Sequence, residues 1–332
     1  MADASLDVVG IGNAIVDVFA HTDDGFLRTH GLAKGSMTLI DGARAESLYA
    51  AMGPGAEVSG GSAANTMAGI AALGGRGAFI GKVRNDQLGG IFRHDIRAAG
   101  VAFETAAATE GPPTARSLIL VTPDAQRTMN TFLGAAVELS PDDLDVKAIE
   151  SAQVTYMEGY LWDPPAAKQA FLAAAKLAHG AGRKVSLTLS DPFCVERHRD
   201  SFLDLVRGHV DVLFANEVEI RALYQTDSFD AALQKVRGHC AIAVLTRSAK
   251  GAVVLNGDET HVIDAEPIAQ LVDTTGAGDL FAAGFLAGLT RGETLYDCGR
   301  MGAIAAAEVI SHIGARPEAD LAALVRQRLH EA

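Results

Sequence analysis

The chain has 332 residues, enough for one large domain or two of ordinary size. Hydrophobic residues make up 48% and charged residues 21%, which provides for a packed core and argues against disorder. With 28 Lys and Arg against 41 Asp and Glu, the formal charge of −13 excludes DNA, RNA or an anionic membrane as partners of the overall field, so an anionic ligand needs backbone N–H groups, a helix N-terminus or a metal ion.

From the N-terminus onward, Met1 to Asp7 is acidic and lacks the charged and apolar regions of a signal peptide. Asp7–Gly12 reads as a buried strand. The segment Gly10-Ile11-Gly12-Asn13-Ala14-Ile15 begins like a dinucleotide fingerprint, but Ile15 stands where the third glycine is needed. A helix is expected to begin at Ser62 or Ala63. Gly81-Lys82 is not a phosphate loop, because Arg76 replaces its glycine and Val83 its Ser or Thr. Met37–Ile40, Ser117–Val121 and Thr128–Phe132 read as short strands set apart by turn residues, Pro112-Pro113 and Pro123-Asp124 among them. They suggest a small antiparallel patch acting as a lid, built from about 14–42 and 101–136.

From Val154 on, strands and helices alternate. Val154–Tyr156 precedes a helix near Ala166–His179, and Lys184–Leu189 precedes one near Val195–Val206. Val210–Phe214 leads into helices Glu217–Tyr224 and Ala231–Val236, followed by strands Ile242–Leu245 and Ala252–Leu255. This order argues for a parallel sheet covered on both faces, within one domain spanning 1–332. Cys194, Cys240 and Cys298 are too few and too far apart for a disulfide framework, and no apolar run approaches the ~20 residues of a membrane span. A soluble cytoplasmic protein is expected.

Three segments carry chemistry. In Asp273-Thr274-Thr275-Gly276-Ala277-Gly278-Asp279 the two glycines leave backbone N–H groups unshielded at the start of an apolar helix, which makes an anion site by geometry and dipole. Asp279 is either a first-turn cap or, beside a transferring phosphoryl group, the base that takes a hydroxyl proton. The N–H groups of Gly276, Ala277 and Gly278 would then stabilise charge on the phosphoryl oxygens. In Ser59-Gly60-Gly61-Ser62-Ala63-Ala64-Asn65, the Gly61 backbone and the Asn65 side chain share the edge of a first helical turn and suit a vicinal diol; an ordinary glycine turn is the other reading. Asn216-Glu217-Val218-Glu219 has capping-box spacing, and it also offers Asn216 and Glu219 oxygens to the water shell of Mg²⁺.

The pair formed by Gly60–Asn65 and Asp273–Asp279, with Asn216-x-x-Glu219 between them, resembles the ribokinase-like (PfkB) carbohydrate and nucleoside kinase family. Gly12-Asn13-Ala14-Ile15-Val16-Asp17, Tyr156-Met157-Glu158-Gly159-Tyr160 and Ser186–Phe193 are similar to its adenosine kinase branch. The resemblance implies a three-layer α/β/α sandwich with a mostly parallel central sheet and a small β lid, ATP as donor, and Mg²⁺. It implies a 5′-hydroxyl as acceptor, adenosine giving AMP. It implies Asp279 as base and the Gly276–Gly278 amides as anion hole, with Asp17, Gly61 and Asn65 at the ribose and Asn13 and Ser62 also binding the substrate. Ile15, Tyr160 and Phe193 would lie at the base. Thr275, Gly278, Asn216 and the loop Thr246 to Gly251 would bind ATP, with the helix from Arg300 onward as adenine wall. Glu219 would hold the metal through water. A monovalent cation such as K⁺ would sit beside Asp273 and the loop at Ile310–Ala315. Arg127 is either a basic group near the phosphates or a residue of the lid surface. A sugar kinase acting on ribose, fructose or a keto-deoxy sugar acid, or an inosine or guanosine kinase, is the alternative. The partners expected are the acceptor and ATP, in a monomer or dimer.

Overall fold

The computed structural model describes residues 4–124 and 126–330. Its strands in chain order are β1 (Leu6–Ile11), β2 (Ile15–His21), β3 (Met37–Leu39), β4 (Gly55–Gly60), β5 (Gly77–Ile80), β6 (Ala115–Val121), β7 (Arg127–Phe132), β8 (Ala152–Glu158), β9 (Lys184–Thr188), β10 (Val212–Asn216), β11 (Ile242–Thr246), β12 (Ala252–Asn256) and β13 (Glu259–Ile263). Eight of them form one sheet in the order β13-β12-β11-β10-β9-β8-β1-β5. Every neighbouring pair from β11 to β5 is parallel, and β12 and β13 add an antiparallel edge.

The parallel strands are apolar on both faces, which is why they show no polar alternation. Val8, Val154, Tyr156, Val212 and Phe214 pack beneath helices Ser62–Ala72, Ala277–Arg291 and Leu295–Val309. Val9, Ile11, Met157, Leu187 and Leu213 pack beneath helices Pro165–Gly180, Arg199–His209 and Glu217–Tyr224 on the other side. The result is a three-layer α/β/α sandwich. Each of the fully buried Leu, Ile and Phe side chains contributes roughly 1.5–3 kcal/mol by leaving water. Among the described residues no helix is long and apolar enough to cross a membrane.

A second, five-stranded sheet has the order β3-β7-β6-β2-β4. It is mixed, not antiparallel as expected: β2 runs parallel to β6, and β3 parallel to β7. Parallel neighbours arise here because long excursions separate the paired strands in sequence, where local turn signals carry no information. The sheet also takes in β4, outside the two segments expected to build the lid. Its sequence GAEVSG shows turn residues at both ends, and only antiparallel pairing with β2 makes it a strand. On β2, Val16 and Val18 join the core with Leu48, Phe92 and Ile96, while Ile15 and Asp17 face a cavity beneath the sheet.

The single helix expected near Val195–Val206 is two, Pro192–Arg197 and Arg199–His209. Asp191 caps the first through the Cys194 amide with Pro192 in its first turn, and His198 interrupts the path at φ −122°. All three cysteines are free.

Candidate active site

The cavity between the second sheet and the carboxyl ends of the central strands has a volume of about 660 Å³. This is where an open parallel sheet binds ligands. The structure brings to its walls Asn13, Ile15, Asp17, Gly61, Ser62, Asn65, Tyr160, Phe193, Asn216, Glu219, Thr246, Thr275, Gly276, Ala277, Gly278 and Asp279. Of the expected site residues Gly251 does not line it. Gly251 closes the turn between β11 and β12, its N–H bonded to Ser248 and its carbonyl accepting from Arg247, so backbone continuity explains it without a ligand. The helix Leu295–Val309, expected as a wall, lies behind helix Ala277–Arg291 and also misses the cavity.

Gly276 is the left-handed cap of helix Ala277–Arg291, at φ 80°, and a Cβ there would meet the Ala315 backbone at 2.8 Å. Ala277 N–H turns back to the Thr274 carbonyl at 3.3 Å, so one of the three expected amides is engaged. Those of Gly276 and Gly278 make no backbone hydrogen bond among the described residues. Asp279, in the first turn, does not cap its own helix. Its Oδ1 accepts from Ser62 Oγ at 2.6 Å and its Oδ2 from Asn65 Nδ2 at 3.1 Å, both on helix Ser62–Ala72. Burial raises the Asp279 pKa; those two hydrogen bonds and the Arg316 charge oppose the rise.

The second glycine segment is equally constrained. Gly61 sits at φ 97° and a Cβ on it would run into the Asn13 carbonyl oxygen. The left-handed turn brings β4 into helix Ser62–Ala72 and sets Ser62 and Asn65 opposite Asp279. Asp17 projects from β2 into the same space, where burial pushes its carboxyl up to about 7 against the pull of Arg316 and Arg127. Asn216 and Glu219 form the complete capping box: Glu219 accepts from Asn216 N at 2.9 Å and Asn216 Nδ2 at 2.6 Å. They nonetheless line the cavity, and burial, with Asp191 nearby, pushes Glu219 up to about 7.

Glu158 and Arg316 build the site without having been singled out, and Asp273 and Arg127 join them through side-chain contacts. Glu158, 1% exposed at the end of β8, accepts from Asn13 Nδ2 at 2.7 Å and from Ala63 N at 2.8 Å. It ties the segment after β1 to the start of helix Ser62–Ala72, and burial pushes it up to about 7. An acidic residue ending an apolar strand, at the sheet's carboxyl edge, is the signal that identifies it. Asp273 accepts from Thr275 N at 3.0 Å, Thr275 Oγ1 at 2.8 Å and Gly314 N at 3.0 Å, and pairs with Arg127. Arg127 also donates to Thr275 Oγ1 at 2.9 Å and stacks over the Phe19 ring, so a strand of the second sheet is fastened to the anion loop. Arg316 reaches Asn65, and nothing local in the sequence announces it.

The arrangement is a cleft walled by a buried carboxylate, helix-terminal amides, further acidic and amide side chains, and the apolar or aromatic side chains of Ile15, Leu133, Tyr160 and Phe193. It can deprotonate a hydroxyl while holding anionic oxygens at the amides.

A family model described as pfkB family carbohydrate kinase matches residues 49–321. The crystal structure of adenosine kinase from Sinorhizobium meliloti superposes with a TM-score of 0.90 at 54% identity, over 98% of this chain and 100% of that one. A probable sugar kinase from Rhizobium etli CFN 42 superposes with a TM-score of 0.90 at 53% identity, over 98% and 99% of the two chains. The adenosine kinase of Saccharomyces cerevisiae is 28% identical over 329 residues, covering 92% of this chain and 95% of that protein.

Proposed function

The chain belongs to the pfkB family of carbohydrate kinases, and from that membership we propose that it transfers the γ-phosphoryl group of ATP to the 5′-hydroxyl of a nucleoside, adenosine giving AMP. It is an ATP-dependent kinase of a nucleoside or sugar. The observation that carries the finer reading is Asp279: a carboxylate held by Ser62 and Asn65 in the first turn of helix Ala277–Arg291, in a cleft that Ile15, Tyr160 and Phe193 also line.

In this reading the ribose lies along Asp17, Asn13 and Gly61, and a planar base lies against Ile15 and Tyr160 with Phe193 at the mouth. The 5′-hydroxyl then points at Asp279, which accepts its proton as the oxygen attacks phosphorus; the departing oxygen leaves with ADP. The amides of Gly276 and Gly278 stabilise charge on the equatorial oxygens. Asn216, Thr246 and Thr275 flank the donor. Closure by the second sheet keeps water from competing with the acceptor.

The donor set fits Mg²⁺ held through water. Glu219 and Asp191 both face the cavity, and the proton affinity of Glu219 is raised in part by Asp191, a repulsion that a hydrated dication relieves. When bound, the ion screens phosphate charge. The residues beside Asp273 do not fit a monovalent cation: its carboxylate is taken up by Thr275, Gly314 and the Arg127 guanidinium.

The test is an ADP-release screen over nucleosides and sugars with Mg²⁺. Adenosine as the acceptor with the highest kcat/KM is expected. A free sugar preferred over every nucleoside would overturn the nucleoside reading and favour the likeness to the Rhizobium protein.

A further inference from the structure

We infer that Arg316 is a positioning residue for the reacting carboxylate, setting which end of the Asn65 amide faces Asp279. The inference rests on the reading in which Asp279 is the base.

Asn65 is 6% exposed and lies between the two groups. Arg316 Nε donates to its Oδ1 at 3.0 Å, and its Nδ2 donates to Asp279 Oδ2 at 3.1 Å. An arginine has donors only and a carboxylate acceptors only, so the amide can stand one way round. Turned over, it would set its oxygen against the carboxylate and its NH₂ against the guanidinium, losing both bonds. The guanidinium is itself fixed: Nη2 donates to the Ser59 carbonyl at 2.6 Å and to Ser59 Oγ at 3.0 Å. Ser59 in turn donates through N, at 2.7 Å, and Oγ, at 2.6 Å, to Asp95 Oδ2. A continuous chain thus runs from helix Gln87–Ala98 through β4 and the loop after Leu295–Val309 to the catalytic turn.

Arg316 also supplies charge. The groups that face Asp279 are Ser62 and Asn65 from helix Ser62–Ala72, Asp17 from β2, Tyr156 and Glu158 from β8, Tyr160 from the following turn, and Arg316. Among them Arg316 is the cation, and it favours the ionised carboxylate that a base requires. The motif around residue 279 contains the base but not the group that orients its partner.

The experiment compares Arg316→Met and Arg316→Lys in the full chain. Arg316→Met is expected to lower kcat roughly ten- to a hundredfold, as a displaced reacting group does, while KM for the acceptor stays near its original value. The acidic limb of the kcat–pH profile moves to higher pH. Arg316→Lys restores the limb, by keeping the charge, and only part of kcat, because one ammonium cannot hold Ser59 and Asn65 in a fixed fork. Adding Asn65→Ala to Arg316→Met costs clearly less than the sum of the two single changes, since both remove the oriented Asn65 amide and only the charge of Arg316 acts outside that contact. Carbon NMR of the ligand-free protein follows the Asp279 carboxyl directly. If it titrates at the same pH in Arg316→Met as in the original chain, or if the two substitutions are additive, the proposal fails. The NMR result holds whatever the acceptor is, so a failed acceptor screen and a failed Arg316 role are separate outcomes. Should Arg316→Met not fold, Arg316→Lys with its partial kcat and unmoved limb carries the test.

Discussion

At the scale of single residues, Asp279 is distinguished from an ordinary helix cap by where its oxygens go. A capping carboxylate accepts from its own helix; this one accepts from Ser62 and Asn65 on another. Asp279→Asn removes the proton acceptor and little else, so turnover is expected to fall by roughly two to four orders of magnitude. Adenosine binding by calorimetry and the melting temperature should stay close to the original. Turnover within a few fold of the original protein would dismiss Asp279 as base. The residue was legible because everything that makes it special locally lies within seven positions, Asp273 to Asp279. Its supports were not: Asn65 is 214 residues away, and Arg316 acts through Asn65 from 251 residues beyond it. Glu158 closes strand β8, yet its partners Asn13 and Ala63 lie 145 and 95 residues off. No sequence window spans such pairs.

At the scale of elements, Arg127 ties the second sheet to the loop Asp273–Asp279. Arg127 leaves the start of β7, crosses the Phe19 ring and binds Asp273 and Thr275. It is 11% exposed at its side chain and Asp273 7%, so this pair is shielded in a way that surface pairs are not. Arg127→Ala leaves the Asp273 carboxylate without its counter-charge and the sheet without its tie. Amide hydrogen exchange of β3, β6 and β7 should then quicken while β8, β9 and β10 keep their protection. Uniform acceleration across both sheets would show that Arg127 supports the whole fold and not the lid. Strand–helix alternation after Val154 was readable because each strand is apolar on both faces and each helix follows directly. The second sheet was only partly readable. Its edge strand β4 has no strand composition, and its parallel pairings join segments far apart in sequence.

At the scale of the whole molecule, acidity meets burial. The chain carries a formal charge of −13, and Asp17, Glu158 and Glu219 are all pushed up to about 7 chiefly by loss of water. Each binds its proton more tightly folded than unfolded. Their contribution to stability is therefore full below the usual carboxylate range near 4 and is lost as pH rises through about 7. The ligand-free protein should melt at a higher temperature at pH 6 than at pH 8. Mg²⁺ should narrow that difference by offsetting the charge near Glu219. A melting temperature that rises from pH 6 to pH 8 would mean these carboxyls are solvated in the folded protein.

Composition, strand–helix order and two glycine motifs were enough to establish an acidic α/β protein with a glycine-flanked helix start next to a carboxylate. Those properties depend on residues close together in the chain. Tertiary structure alone decided that the carboxylate faces a cleft, that the second sheet is mixed and five-stranded, that Glu158 and Arg316 meet the site, and that Arg127 binds Asp273 and Thr275. The side-chain contacts among these span 95 or more residues, and the parallel strand pairings of the second sheet join segments almost as far apart, where burial and charge pairing choose among partners that no local pattern ranks.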